Sequence, residues 1–449
     1  MRSVVLLAMP RTTLAIFFLL LSVAWAEDRK SGEADRYWPQ WRGPLGTGVG
    51  PEADPPVDWS ESRNLLWKKE LPGLGHSTPI VWGNRIYVTA AVPVGKALGP
   101  IYDDAPGSHG NLPVTRRQAF TVLALDRGSG EVVWKRAVRT SLPHEGGHYT
   151  ASLASASPLT DGQRVLAYFG SQGIYCLSPD GEVQWKKQLG VMRTRHGHGE
   201  GNSPVLHGNT LVVNWDHEGQ SFVVALDKRT GKERWKIPRN EVTSWATPIA
   251  VEQNGVVQVI VAGTSRVRGY DLETGEVIWE CGGLAANIVA SPVAGGGMAF
   301  VGSSYEKRVL LAIRLDGARG DVTGTDRVAW TRQQTTPYVP SPLLYDGTLY
   351  FLAHYQSVLT RVEARTGQDR PGPMRLGGIG NVYASPVAAS GRVYVTDLKG
   401  TTLVLSHEET PRALAVNQLE DRFNASAALA GRQLFLRGEK YLYAIGAAP

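Results

Sequence analysis

Two glycine-flanked stretches gather most of the residues capable of chemistry: His144-Glu145-Gly146-Gly147-His148 and Arg193-Thr194-Arg195-His196-Gly197-His198-Gly199-Glu200-Gly201-Asn202. Glycine beside imidazole lets the backbone come close to a ligand. Neutral imidazoles and carboxylates are good ligands for zinc or another transition metal. The donor set read from the sequence is His144, His148, His196, His198 and Glu200, joined by Asp216 and His217 from a later loop. The plainer reading is that these side chains only hydrogen-bond the loops that carry them. A second group ends the loops that lead into later repeats: Trp245, Asn287, Tyr338 and Tyr383, with Asn381 and Asn424. Its aromatic and amide groups suit a polar or glycan-like ligand, a peptide or a quinone ring. No residue is assigned a catalytic role. There is no G-x-S-x-G, and Gly377-Gly378-Ile379-Gly380 lacks the following helix of a dinucleotide fingerprint.

The elements that must position these groups repeat along the chain. Seven apolar stretches open on Thr78-Pro79, Ser157-Pro158, Ser203-Pro204, Thr247-Pro248, Ser291-Pro292, Ser341-Pro342 and Ser385-Pro386. From Ser157 onward the spacing is 46, 44, 44, 50 and 44 residues, a period that marks a propeller or solenoid. The third repeat shows four strands joined by short loops, the unit of a propeller blade. The outer halves of blades 1 and 3 carry A-x-D-x-x-x-G-x-x-x-W, as Ala124, Asp126, Gly130 and Trp134, then Ala225, Asp227, Gly231 and Trp235. Blade 4 has Gly269, Asp271, Gly275 and Trp279, and blade 2 is degenerate around Asp180-Gly181 and Trp185. Blade 5 has Trp330 without the Asp-Gly turn, and blade 6 keeps Thr366-Gly367 without the Trp. Gly takes a positive φ in the turn, and Trp is large enough to fill the gap between blades. Asn64 to Glu70 reads as a fourth strand without its own blade, and the C-terminal segment as three strands without a fourth. Pairing them predicts an all-β, eight-bladed propeller over residues 63–449, closed by the N-terminal strand. Seven blades and a stray hairpin is the other count.

In such a ring the loop opening each blade and the loop between its second and third strands lie on one face. That rule puts His76, His144, His148, His196 and His198, with His109, His217 and His354, on a single face. The one long insertion, Pro93 to about Arg117, falls there too.

Met1 to Ala26 reads as a signal peptide: Arg2 and Arg11, the apolar run Leu14 to Val23, and the A-x-A site Ala24-Trp25-Ala26. It predicts an exported chain, periplasmic or secreted, with no transmembrane segment. Residues 27–62 form an arm rich in Trp, Pro and Gly, expected to pack onto the ring. Removing Arg2 and Arg11 takes the formal charge from +6 to +4. Lys and Arg are scattered through turns, which excludes a nucleic-acid stripe. The partners expected are an envelope protein or a small polar or glycan ligand, with the chain itself a monomer. Cys176 and Cys281 lie two blades apart and predict no disulfide.

The A-x-D-x-x-x-G-x-x-x-W repeats with their Ser/Thr-Pro openings resemble the pyrroloquinoline-quinone-like (PQQ-like) propeller repeat family. That family includes quinoprotein alcohol dehydrogenases and the outer-membrane-assembly propeller lipoprotein. The arm Trp38-Pro39-Gln40-Trp41-Arg42-Gly43-Pro44 looks like that of exported planctomycete-type propellers. The resemblance implies the fold and, for the dehydrogenases, PQQ with Ca²⁺, a disulfide of adjacent cysteines and a catalytic Asp. This chain has no adjacent cysteines, no C-x-x-C-H and no Cys immediately following Ala26. The leading expectation is therefore a non-catalytic binding or scaffold propeller using the His-rich face of blades 1 to 3. The alternatives are a PQQ-dependent oxidoreductase and a metal-dependent enzyme.

Overall fold

The computed structural model describes residues 32–353 and 356–447. The expected signal peptide and His354 lie outside them. Among the described residues the strands form eight antiparallel sheets arranged as an eight-bladed propeller. The ring closes as the sequence predicts: Leu65–Glu70 pairs with Tyr441–Gly446, completing the last blade from the other end of the chain. Blade 4 gains a short fifth strand, Gly320–Asp321, parallel to its outer edge. No helix among the described residues is long and apolar enough to cross a membrane.

The strand pattern follows from blade-on-blade packing. Thr210–Trp215, near the axis of blade 3, is buried at every position because neighbouring blades cover both its faces. Its outermost strand, Glu233–Arg239, lies at the rim and is largely exposed, with Trp235 turned inward. Most of the rim Trp residues dock on the next blade. The indole N–H of Trp134 donates to the Pro179 carbonyl at 2.7 Å, Trp185 to Lys228 at 2.9 Å and Trp235 to Leu272 at 2.9 Å. The rings lie where a side chain on the turn glycine would stand: a Cβ on Gly181, Gly231 or Gly275 would come within 2.6–2.7 Å of them. Blade 6 keeps its glycine for the same reason, since Gly367 receives Trp330 of blade 5. Trp279 departs from the expectation. It turns into its own blade, beside Gly269, and donates to Gln258 Oε1 at 2.5 Å. Blade 5 offers it no matching turn glycine.

The Ser/Thr-Pro pairs have a structural purpose beyond marking the repeat. Around the axis, each Ser or Thr amide donates to the hydroxyl of its counterpart in the next blade. Thr78 donates to Ser157, Ser157 to Ser203, Ser203 to Thr247 and Thr247 to Ser291, all at 2.9–3.0 Å. Ser291 continues to Ser341, Ser341 to Ser385 and Ser385 to Ser426, also at 2.9–3.0 Å. Thr78 Oγ1 then donates to the Ser426 carbonyl at 3.1 Å and closes the circle. Proline suits the following position because it brings no N–H that would need a partner beside the channel. The eighth member, Ser426, is followed by Ala427, so the sequence motif counts seven.

The arm runs beneath the opposite face. Trp38 is fully buried and exchanges hydrogen bonds with Val81, and the Pro39 carbonyl accepts from Thr160. The chain then enters the channel at Arg42, whose Nη1 donates to the Pro386 carbonyl at 2.6 Å and Nη2 to Pro342 at 2.8 Å. It leaves past Ala388 and Gly431, and Trp59 stacks on Tyr394.

Candidate binding site at the mouth of the ring

The loops that open the blades surround a cavity of about 320 Å³ over the channel. Trp245, Asn287, Tyr338 and Tyr383 all line it, with His148, His196, His198 and Glu200. Sequence reasoning missed three contributors. Trp41 of the arm reaches up the channel and forms part of the lining. Tyr305 stacks on Tyr338, ring centres 5.8 Å apart. His109, carried by the long insertion, joins the imidazoles. Only His109 had a signal, its place in an insertion on the right face.

Three loops lock together to present the imidazoles. Thr194 Oγ1 donates to Glu145 at 2.7 Å and accepts from the Gly199 amide at 2.9 Å. The His148 amide donates to the His198 carbonyl at 3.1 Å. Asn111 of the insertion donates to the His196 carbonyl at 2.7 Å and to Asp103 at 2.7 Å. Trp245 donates its indole N–H to the Gly199 carbonyl at 2.7 Å. His196 itself has φ 58°, a left-handed conformation that costs a non-glycine residue about 1 kcal/mol or more.

The seven donors read as a metal set do not form one centre. His148, His196 and His198 come together, with His109. His144 turns to the Met192 carbonyl at 2.8 Å. His217 accepts from the Arg193 and Gly219 amides at 3.2 Å. Asp216 is a buried partner of Arg239, at 2.8 and 3.0 Å. These three are held by the loops and by the interior between blades, where an unpaired polar group would be costly. Burial, then the neighbouring His148, His109 and His196, holds the His198 imidazole down to about 4, so it is neutral at ordinary pH.

Glu200 borders the cavity but is turned to Ser171, accepting from its amide at 2.7 Å and from its hydroxyl. Gly170 leaves room for it: a Cβ there would collide with the carboxylate. Burial raises the carboxyl from 4.5 to about 8, the Ser171 bonds oppose the rise, and Glu145 adds to it. A folded-state value above the unfolded one means the native state holds the proton more tightly. Glu200 therefore stabilises fully below about pH 4.5, and that contribution is lost as pH rises through 8. Glu200→Gln is expected to flatten the fall in melting temperature between pH 5 and 8. Identical pH profiles for variant and parent would contradict this.

The chemistry of the lining bears on the calcium–quinone centre that the fold family implies. Calcium takes about six to eight oxygen ligands, carboxylates prominent among them. Among the described residues lining the mouth, Glu200 is the one carboxylate, and Ser171 holds it. Cys176 and Cys281 are buried in separate blades. The donors present do not fit that centre.

Eight blades with rim Trp docking and a hydroxyl ring define a propeller of PQQ-like repeats. The family described as outer membrane protein assembly factor BamB matches residues 57–214, 118–280 and 219–448, and the chain belongs to that family. A curated relative, the outer membrane protein assembly factor BamB of Francisella salina, is 31% identical over 91 residues, which is 20% of this chain and 16% of the relative. Among solved structures, a europium-containing methanol dehydrogenase superposes with TM-score 0.56 at 11% identity, covering 92% of this chain and 90% of that one. Quinohemoprotein alcohol dehydrogenase ADHIIG of Pseudomonas putida HK5 superposes with TM-score 0.53 at 10% identity, covering 93% and 76%. At these identities the likeness is one of fold.

Proposed function

We propose that this chain is an exported, non-catalytic binding propeller of the cell envelope, holding a partner segment or a polar, glycan-like ligand at the mouth of its ring. The observation that carries the reading is the commitment of the carboxylates around the mouth. Glu200 is tied to Ser171, Glu145 to Thr194, Asp103 to Asn111 and Asp216 to Arg239. Each positions a loop or a blade, and none is poised as a general base. What faces the cavity is a recognition surface: stacked Tyr305 and Tyr338, Trp245, Tyr383, and the amides of Asn287 and Asn424. Aromatic rings with adjacent amides give large contact area at low entropy cost and fix orientation by hydrogen bonds. Arg42 and Trp41 enter the channel from beneath, which favours a one-ended site over a through-channel. Membership of a family named for outer membrane assembly supports an envelope location.

Incubation of the purified protein with PQQ and calcium, followed by an alcohol-oxidation assay with an artificial electron acceptor, tests the reading. The expected result is no turnover above the free cofactor. Turnover that disappears in His198→Ala would overturn it in favour of an oxidoreductase.

A further inference from the structure

The four imidazoles at the mouth are more ordered than a recognition surface requires. The ring centres of His198 lie 4.7 Å from His109, 4.9 Å from His148 and 5.3 Å from His196, and His109 lies 5.4 Å from His196. One metal ion with nitrogen ligands at about 2.1 Å in tetrahedral geometry places its imidazole centres ~5 Å apart. Four of the pairs in the cluster have that spacing, and His109 and His148 stand wider, at 6.5 Å.

The hydrogen bonds add a second, independent observation. Metal-ligating histidines almost always engage their other ring nitrogen with a carbonyl or another oxygen, which fixes the ring. Here His109 Nδ1 faces the Gly107 carbonyl at 2.8 Å, His148 Nδ1 the Thr150 hydroxyl at 2.7 Å, and His196 Nδ1 the Pro106 carbonyl at 3.0 Å. In His109 and His196 the remaining ligand atom is Nε2. His148 Nδ1 also accepts from the Thr150 amide at 3.4 Å, so ligation through its Nε2 requires the ring to donate from Nδ1 to the Thr150 hydroxyl. His198 Nε2 is buried and has no hydrogen-bond partner. A buried polar atom without a partner is costly, and a ligand that takes its lone pair removes the cost. Against this, His196 Nε2 accepts a 3.3 Å bond from Arg195, which keeps a stronger partner in Glu306 at 2.8 Å.

We propose that His109, His148, His196 and His198 bind one transition-metal ion, zinc in the first instance, through their Nε2 atoms at the mouth of the ring. All-imidazole donors suit zinc, copper or nickel, not calcium. Among the described residues no three donors already converge on one point. Closure needs side-chain rotation. The His196 and His148 rings already lie against Gly107 and Gly110, where a Cβ would stand within 2.7 and 3.0 Å of them, so glycine at both positions is what lets the rings approach. The insertion that carries His109 then has a purpose, because it brings the fourth ligand across to loops of blades 2 and 3. The proposal stands apart from the mouth's partner and does not depend on it.

Titration of the metal-stripped protein with zinc, read by calorimetry, tests it. One equivalent is expected to bind. His148→Ala and His198→Ala should each weaken binding on the order of 100-fold, and Thr150→Val, which keeps every ligand, about 10- to 100-fold. Cobalt in place of zinc should give the visible bands of tetrahedral nitrogen coordination. His217→Gln should change nothing. Thr150→Val folds as the parent if its melting temperature without metal is unchanged, so it separates ligation from folding. Several weakly held zinc ions, full binding in His198→Ala, or equal loss in His217→Gln would overturn the proposal.

Discussion

Asp216→Ala is expected to cost about 3–5 kcal/mol of folding stability. Asp216 and Arg239 meet through two bonds, at 2.8 and 3.0 Å, and both side chains are wholly buried. Arg239 also donates to the Tyr270 hydroxyl of blade 4 at 2.6 Å, so the pair couples two blades. The Asp216 charge offsets the burial of the guanidinium and holds Arg239 protonated. Without Asp216 that cation stays buried without its hydrogen-bonded carboxylate partner, with Glu241 the remaining nearby acid. Replacing both partners, Asp216→Leu with Arg239→Met, should recover most of the loss, since the charge is then gone as well. Urea midpoints for the three variants check this. A loss below about 1 kcal/mol for Asp216→Ala, the range of an exposed pair, would contradict it.

Arg42→Ala is expected to release the arm from the channel and leave the blades intact. Arg42 is fully buried and spends its guanidinium on the carbonyls of Pro342, Pro386 and Thr47. Burial lowers its pKa to about 9. Losing even one such charge-assisted bond costs ~2 kcal/mol, and here three carbonyls lose their donor. Buried Trp38 before Arg42, and Asp54 with Arg392, Val57 with Asn417 and buried Trp59 after it, still hold the two ends of the arm, so its release is a local opening between them. Hydrogen exchange should accelerate at residues 38–51 and stay slow in Leu211 to Trp215. Unchanged protection of the arm would show that Arg42 does not anchor it.

The ring was legible because its signals are local and periodic. The Gly and Trp of A-x-D-x-x-x-G-x-x-x-W meet across neighbouring blades, as Gly231 and Trp185 do, and enough copies keep the turn to show the period. The closure was legible because Leu65–Glu70 had no blade of its own and the C-terminal segment ending in Tyr441–Gly446 had three strands where a blade needs four. The hydroxyl ring was not. Ser203 reads as a strand opening, and only the curvature of the whole ring brings its amide to Thr247. The site was half legible. Loop positions placed Trp245, Asn287, Tyr338 and Tyr383 on one face, and the mouth gathers them. Side-chain direction was not readable: nothing in the sequence distinguishes His198, aimed into the mouth, from His217, folded back on its own loop. Asp216 looked like a ligand because its partner, Arg239, stands 23 residues away in the next strands of the blade.

The claim that the mouth is the binding surface is tested most directly by site-specific photo-crosslinking in cells that make the protein. A benzophenone side chain would be placed at Tyr305 or Asn287 at the mouth, and at Glu252 or Asn254 beneath the ring. The account predicts discrete adducts with one envelope protein or glycan from the mouth positions only. Adducts from Glu252 and Asn254, with none from Tyr305 and Asn287, would contradict it and move the binding surface to the arm side.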